Sequence, residues 1–267
     1  MPIRRFWASA STLVLAAAAA LGVAQPASAS TAAVGGYVAL GDSYSSGVGA
    51  GNYLSNSGDC RRSTNSYPYL WAAANSPSSF AFVACSGATT SSVASTQLGA
   101  LSSSTSLVSV TAGGNDVGFA NVMQDCVLSS EAACLSSVNS AVSQVQNSLP
   151  SRLGSLYTSI KSRAPQAHVV VLGYPRFYKL SGSCIVGLSE KKRSAINNAS
   201  DVLNGVIAKQ AASAGFTFSS VAEKFTGHEL CSGDAWLHSV SVPVYNSYHP
   251  TAAGQSGGYL PAFRSAA

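Results

Sequence analysis

Tyr37-Val38-Ala39-Leu40-Gly41-Asp42-Ser43-Tyr44 is the stretch on which the fold turns. Its apolar opening, Tyr37 to Leu40, reads as a short strand buried on both faces, and Gly41-Asp42-Ser43 as the turn at its carboxyl end. The pattern recurs downstream. Phe80-Ala81-Phe82-Val83-Ala84 runs into Cys85-Ser86-Gly87, and Leu107-Val108-Ser109-Val110-Thr111 into Gly113-Gly114-Asn115-Asp116. His168-Val169-Val170-Val171-Leu172 ends at Gly173-Tyr174-Pro175, and Phe216-Thr217-Phe218 makes a fifth strand. Short continuous apolar runs of this kind suit a parallel sheet covered on both sides.

Helical spacing fills the gaps between strands. Val138, Val142, Val145, Leu149, Leu153, Leu156 and Ile160 recur every three or four residues, with a break expected at Pro150. Ser189 caps a second helix whose apolar face is Ile196, Val202, Leu203, Val206 and Ile207. Such alternation predicts an α/β fold, a single three-layer α/β/α sandwich around a mostly parallel central sheet. No internal repeat or linker interrupts it. The serine-rich tracts Ser91–Ser95 and Ser102–Ser106 read as polar loops.

The chain has 267 residues, is 46% hydrophobic and only 9% charged, and carries a net charge of +5. That composition excludes a disordered chain. The excess positive charge is not gathered into runs, Lys191-Lys192-Arg193 being the one cluster, so no nucleic-acid partner is expected. Arg4 and Arg5 precede the Ala-rich apolar stretch Leu13–Val23, and Ala27-Ser28-Ala29 supplies a small-residue cleavage site. Residues 1–29 are therefore expected to be an export signal, cut before Ser30, with residues 30–267 as the mature domain. The apolar stretch is too short for a comfortable membrane span. No later segment offers an anchor, so the product is expected to be secreted, extracellular and monomeric.

Export gives the cysteines meaning. Cys60, Cys85, Cys126, Cys134, Cys184 and Cys231 are even in number and all follow the leader. In an oxidising compartment they read as three disulfides, with connectivity open. Sequence order favours Cys126 with Cys134 as a small local loop; pairing Cys60 with Cys85 and Cys184 with Cys231 would then staple longer loops. Zinc is the rival use, but no C-x-x-C and no Cys/His cluster at ligand spacing occurs.

Three successive strands end in glycine with small polar residues, where an open parallel sheet forms its ligand sites. Phosphate binding would need a G-x-x-x-x-G-K-[ST] loop, which is missing, and Gly47-Val48-Gly49-Ala50-Gly51 lacks the G-x-G-x-x-G spacing. Taken together, Gly41-Asp42-Ser43-Tyr44, the Gly87 loop, Gly113-Gly114-Asn115-Asp116 and Tyr248-His249-Pro250 resemble, in order, the four motif blocks of the SGNH (GDSL) hydrolases. More narrowly, the six cysteines and the Gly-Asp-Ser-Tyr-Ser-Ser-Gly stretch at residues 41–47 resemble the secreted actinomycete lipases, esterases and A1-type phospholipases. The resemblance implies a flavodoxin-like SGNH hydrolase fold and the three cysteine pairs just named.

It also implies a chemistry. Ester hydrolysis needs a nucleophile, a base and donors for the tetrahedral oxyanion. Ser43 takes the first role, its bland reading being a helix N-cap. The oxyanion donors are the Ser43 and Gly87 N–H groups and the Asn115 side-chain amide. Of four histidines, His168 opens a strand, and His228 and His238 lie in polar surroundings suited to structural hydrogen bonds. The family motif puts the base at His249.

One departure matters. Many SGNH enzymes carry an aspartate three residues before the histidine, but Asn246 stands there, and no acidic residue follows Asp234. Some relatives use a main-chain carbonyl instead. The expectation is a Ser43–His249 dyad, its imidazole oriented by the carbonyl of Ser247 or Asn246, with Asp234 as the runner-up partner. Asp42 and Asp116 are expected to tie the block loops together. Tyr44, Phe119, Tyr174, Phe177 and Tyr178 are candidates for an acyl groove.

The function expected is a secreted serine ester hydrolase acting on lipid or other acyl esters, with no cofactor or metal. Triacylglycerol lipase, phospholipase A1 and small-ester carboxylesterase share these residues. A carbohydrate acetyl esterase on the same fold is the nearest alternative, and a non-catalytic secreted binding protein is the alternative from another class.

Overall fold

The computed structural model describes residues 1–3, 35–182, 184 and 188–267. The expected leader beyond its first three residues, and its cleavage site, lie outside the described residues. All elements below belong to the unit Ala33–Ala267.

Five strands, β1 (Gly36–Gly41), β2 (Phe80–Phe82), β3 (Thr105–Thr111), β4 (His168–Leu172) and β5 (Thr217–Ser219), form one sheet in the order β2-β1-β3-β4-β5. Every pairing is parallel, Tyr37 standing opposite both Phe80 and Leu107, and Leu107 opposite His168. β2 stops two residues before its apolar run does. The Val83 and Ala84 amides both turn onto the Ala39 carbonyl (3.0 and 3.1 Å), and Cys85 N–H follows onto Gly41 (3.0 Å).

The helices are α1 (Ser43–Ser46), α2 (Tyr67–Asn75), α3 (Thr90–Ser92), α4 (Phe119–Leu128), α5 (Glu131–Asn147), α6 (Leu149–Arg163), α7 (Glu190–Ser213) and α8 (Leu260–Arg264). The break expected at Pro150 falls at Ser148, so Pro150 sits in the first turn of α6, where its missing N–H costs nothing. Ser189 caps α7 as expected, its hydroxyl accepting from Lys192 N–H at 3.3 Å. One reading needs correcting: Ser91–Ser95 is helical. Thr89 and Ser92 form a reciprocal capping box at the start of α3, and Val93, Gln97 and Leu98 bury the next turns.

Tyr37, Trp71, Phe80 and Phe263 stack where α2 and α8 cover one side of β1. Leu149, Leu153, Leu156, Ile160 and Ile207 are buried in the layer of α6 and α7. Cys60 is bonded to Cys85, Cys126 to Cys134, and Cys184 to Cys231. Cys126–Cys134 ties α4 to α5, while Cys60–Cys85 ties the loop before α2 to the end of β2.

After β1 the chain crosses to β2 on one side, then returns to β3 on the other. The carboxyl ends of β1 and β3 thus flank the switch point where such sheets open a crevice.

Candidate active site

Gly41 ends β1 at φ +121°, a conformation open to glycine, and the side chain of Gln97 clamps it, accepting from Gly41 N–H (2.8 Å) and donating to Gly41 O (2.9 Å). Asp42 then caps α1, accepting from Tyr44 N–H at 3.0 Å, which puts Ser43 at the first helical position facing the crevice. Gln97 carried no local signal in the sequence, being one polar residue in a serine-rich tract.

Ser43 and His249 meet across the crevice, with Oγ and Nε2 at 2.8 Å. For Nε2 to accept the serine proton, Nδ1 must carry the imidazole hydrogen; this tautomer is assigned from the hydrogen bond. Burial pushes the His249 pKa down to about 4; the Ser247 and Tyr245 carbonyls oppose the shift, and His238 adds to it. Neither carbonyl reaches full hydrogen-bond geometry, so Nδ1 is buried without a proper partner. The ring itself keeps some exposure at the crevice, and its sealed edge is Nδ1.

This geometry separates the alternatives for orienting the imidazole. The Asn246 carbonyl is taken by His249's own main-chain N–H at 3.1 Å, and its side-chain oxygen accepts from Tyr53 Oη at 3.3 Å. The Ser247 and Tyr245 carbonyls are the ones that act on the ring. Asp234 is not in the site, because its carboxylate pairs with His228 Nδ1 at 3.1 Å on an exposed turn, where His228 stacks on Trp236.

His249 is held by its backbone. Its carbonyl accepts from His238 N–H, and Tyr248 N–H donates to the His238 carbonyl, both at 2.9 Å. The Tyr44 hydroxyl donates to the Tyr248 carbonyl at 2.7 Å, reaching from α1 to the base's own loop. Tyr248 has φ +64°, left-handed for a bulky side chain, and these contacts hold it there. The His238 ring reaches the Gly49 carbonyl (2.8 Å), pinning this segment to the loop after α1.

Gly87 lies in the turn after β2 at φ +78°, between Ser86 N–H bonded to Cys60 O and Ala88 N–H bonded to Cys85 O. Asn115 begins the turn after β3 and donates one amide hydrogen to Ala88 O at 3.0 Å, leaving a second donor. Among the described residues the Ser43 and Gly87 amides donate to no protein acceptor.

The acidic residues knit these loops. Asp116 accepts from the Thr90 N–H (2.9 Å) and hydroxyl (2.6 Å). Asp42 accepts from the Tyr174 hydroxyl at 2.6 Å, and that hydroxyl accepts from Gly114 N–H at 3.1 Å. Burial pushes the Asp42 carboxyl up to about 7, against the lowering effect of Tyr174.

Ser43 and His249 stand at one end of a cavity of about 550 Å³ that also takes in Gly87 and Asn115. Beyond them its walls are apolar: Met123 and Val127 from α4, Val142 and Val145 from α5, Ile196 and Leu203 from α7. Tyr44, Phe119, Tyr174 and Phe177 are in its lining, but Tyr178 is not. Its hydroxyl instead donates to Tyr248 Oη at 3.3 Å. A serine hydroxyl on a neutral imidazole, beside free amide donors and an apolar trough, is an arrangement suited to acyl transfer.

Residues 39–256 match the model of the GDSL-like Lipase/Acylhydrolase family. The chain is 63% identical to Lipase 1 of Streptomyces coelicolor, over 96% of each. It superposes on the crystal structure of phospholipase A1 from Streptomyces albidoflavus NA297 with a TM-score of 0.87 at 64% identity, covering 88% of this chain and 100% of that one. The extracellular lipase of Streptomyces rimosus gives 0.86 and 60% over the same shares. The chain therefore belongs to the GDSL-like lipase/acylhydrolase family, and it is an ester hydrolase.

Proposed function

We propose that this chain is a secreted hydrolase of lipid acyl esters, with Ser43 as nucleophile and His249 as its base. The observation that carries this reading is the 2.8 Å contact between Ser43 Oγ and His249 Nε2 in the lining of an apolar cavity.

Ser43 Oγ attacks the ester carbonyl carbon as its proton passes to His249 Nε2. The carbonyl oxygen becomes an oxyanion, received by the Ser43 and Gly87 N–H groups and the free amide hydrogen of Asn115. Collapse breaks the bond to the alcohol oxygen, which leaves with the proton from His249. Water, deprotonated by the same nitrogen, then attacks the acyl-enzyme and releases the acid, restoring Ser43. Removing a donor such as that of Asn115 costs on the order of 10²–10³ in turnover. The Ser247 carbonyl steadies the imidazolium of the transition state without a carboxylate. The site is complete within one chain, which supports a monomer. Three disulfides and the extracellular lipase among its relatives support secretion.

The cavity is far larger than an acetyl group needs, which favours long acyl chains over the acetyl esterase reading. The test is a hydrolysis series from p-nitrophenyl acetate to palmitate, with phosphatidylcholine and triacylglycerol arms and Ser43→Ala as control. Specificity rising with chain length and lost in Ser43→Ala is expected. Activity on acetate alone would move the assignment to a deacetylase, and full activity in Ser43→Ala would remove the nucleophile. The phosphatidylcholine and triacylglycerol arms separate phospholipase from lipase.

A further inference from the structure

The chain's exposed apolar side chains are not scattered. Among the described residues of Ala33–Ala267, the exposed large hydrophobics Leu128, Val240, Val244 and Tyr245 line the cavity, Val242 lies on the same loop as the last three, and Leu180 stands apart. Val242 is 99% exposed, Val244 76% and Val240 51%, all on one loop, while Leu128 is 73% exposed at the end of α4. Val240, Val244 and Leu128 also line the cavity that ends at Ser43 and His249, so the outer patch and the inner trough are one surface. Exposed clusters of this kind mark interaction sites.

We propose that this rim docks the enzyme on a lipid–water interface, with the valine loop entering the apolar phase; this rests on the lipid-ester reading above. No Lys, Arg, Asp or Glu lies between Asp234 and Arg264, so seating the loop among acyl chains strips no side-chain charge of water. Arg61 borders the patch, its guanidinium 4.1 Å from the Tyr245 ring centroid and paired with the Asp59 carboxylate at 3.2 Å. Continuity with the cavity identifies the occupant. A protein seated on the rim would close the mouth, whereas a lipid surface seated there delivers acyl chains directly into the trough.

The test measures binding on the full-length-processed protein carrying Ser43→Ala, so that binding is read without turnover. Val242 lies outside the cavity lining, and Val242→Ser is compared with its parent by co-sedimentation with phosphatidylcholine vesicles. Partitioning should fall about tenfold, the scale of returning a buried valine side chain to water. On the Ser43 background, Val242→Ser should keep its rate on monomeric p-nitrophenyl butyrate, which also reports an intact fold, and lose several-fold on dispersed long-chain lipid. Val242→Trp should show blue-shifted emission on adding vesicles. Equal partitioning of parent and Val242→Ser, or an unshifted Val242→Trp, would overturn the proposal. So would a parent dimer, seen by ultracentrifugation and abolished by Val242→Ser while vesicle binding is unchanged. Failure of the protein with Ser43 intact on every soluble ester would instead count against the proposed function, since vesicle binding does not depend on Ser43.

Discussion

At the scale of single residues, His249, the proposed base, sets the pH at which the site can work. Nε2 accepts a proton only while neutral, and burial holds its pKa at about 4, below the ordinary 6.5. The kcat/KM for a soluble ester should therefore stay level from neutral pH to about pH 5 and fall as pH approaches 4. A midpoint near 6.5 would mean an imidazole no different from one in water. Linkage has the same sign. The unfolded chain binds this proton more readily, so the stability His249 contributes is complete above 6.5 and is lost as pH falls from there towards 4. Ser43, Gly87, Asn115 and His249 could be picked out because each lies in a short motif whose residue types suit its place. The setting of the imidazole could not. Asn246 stood in the sequence as a carboxylate's replacement, but its carbonyl is consumed by the His249 amide, a contact made by the turn and invisible to spacing. Tyr44 read as a groove aromatic, yet its hydroxyl holds the Tyr248 carbonyl from 204 residues away.

Secondary-structure elements divide the substrate between them. The turns after β1, β2 and β3 carry the proposed nucleophile and oxyanion donors, the loop before α8 carries the proposed base, and α4, α5 and α7 build the apolar trough. Val142, on α5, lines that trough. Val142→Phe should spare p-nitrophenyl acetate and lower kcat/KM for the palmitate ester at least tenfold, since each methylene shut out forfeits about 0.8 kcal/mol. Equal loss on both esters would mean a damaged fold instead of a shortened trough. Strands β1, β3, β4 and β5 were legible to within two residues, because short apolar runs closed by small or polar turn residues have few other uses. The helix α4 was not. Its ten residues set Phe119, Val122, Met123, Cys126 and Val127 at helical spacing, but so short a run after Gly118 is no stable helix by itself, and packing on α5 and the Cys126–Cys134 bond hold it. Such tertiary support leaves no local trace.

For the whole molecule, the cross-link from Cys60 to Cys85 spans 25 residues and ends two positions before Gly87. The double variant Cys60→Ala/Cys85→Ala should lose roughly 3 kcal/mol in urea unfolding. It should also lose turnover in the native state, as the Gly87 turn loosens. Unchanged kcat with lowered stability would confine the bond to a structural role. The layered architecture was legible from alternation alone, whereas the sheet order was carried by resemblance, since any strand order would satisfy the same hydrophobic pattern. That order has a temporal meaning. Ser43 and His249 are 206 residues apart, one near the start of the fold and the other near its finish. A chain emerging from its amino end thus carries a serine with no base to activate it until its last segment arrives. On the proposed mechanism, a nascent copy, or one cut short before His249, is inert towards the lipids of the cell that makes it, and only a molecule that has reached its base is armed.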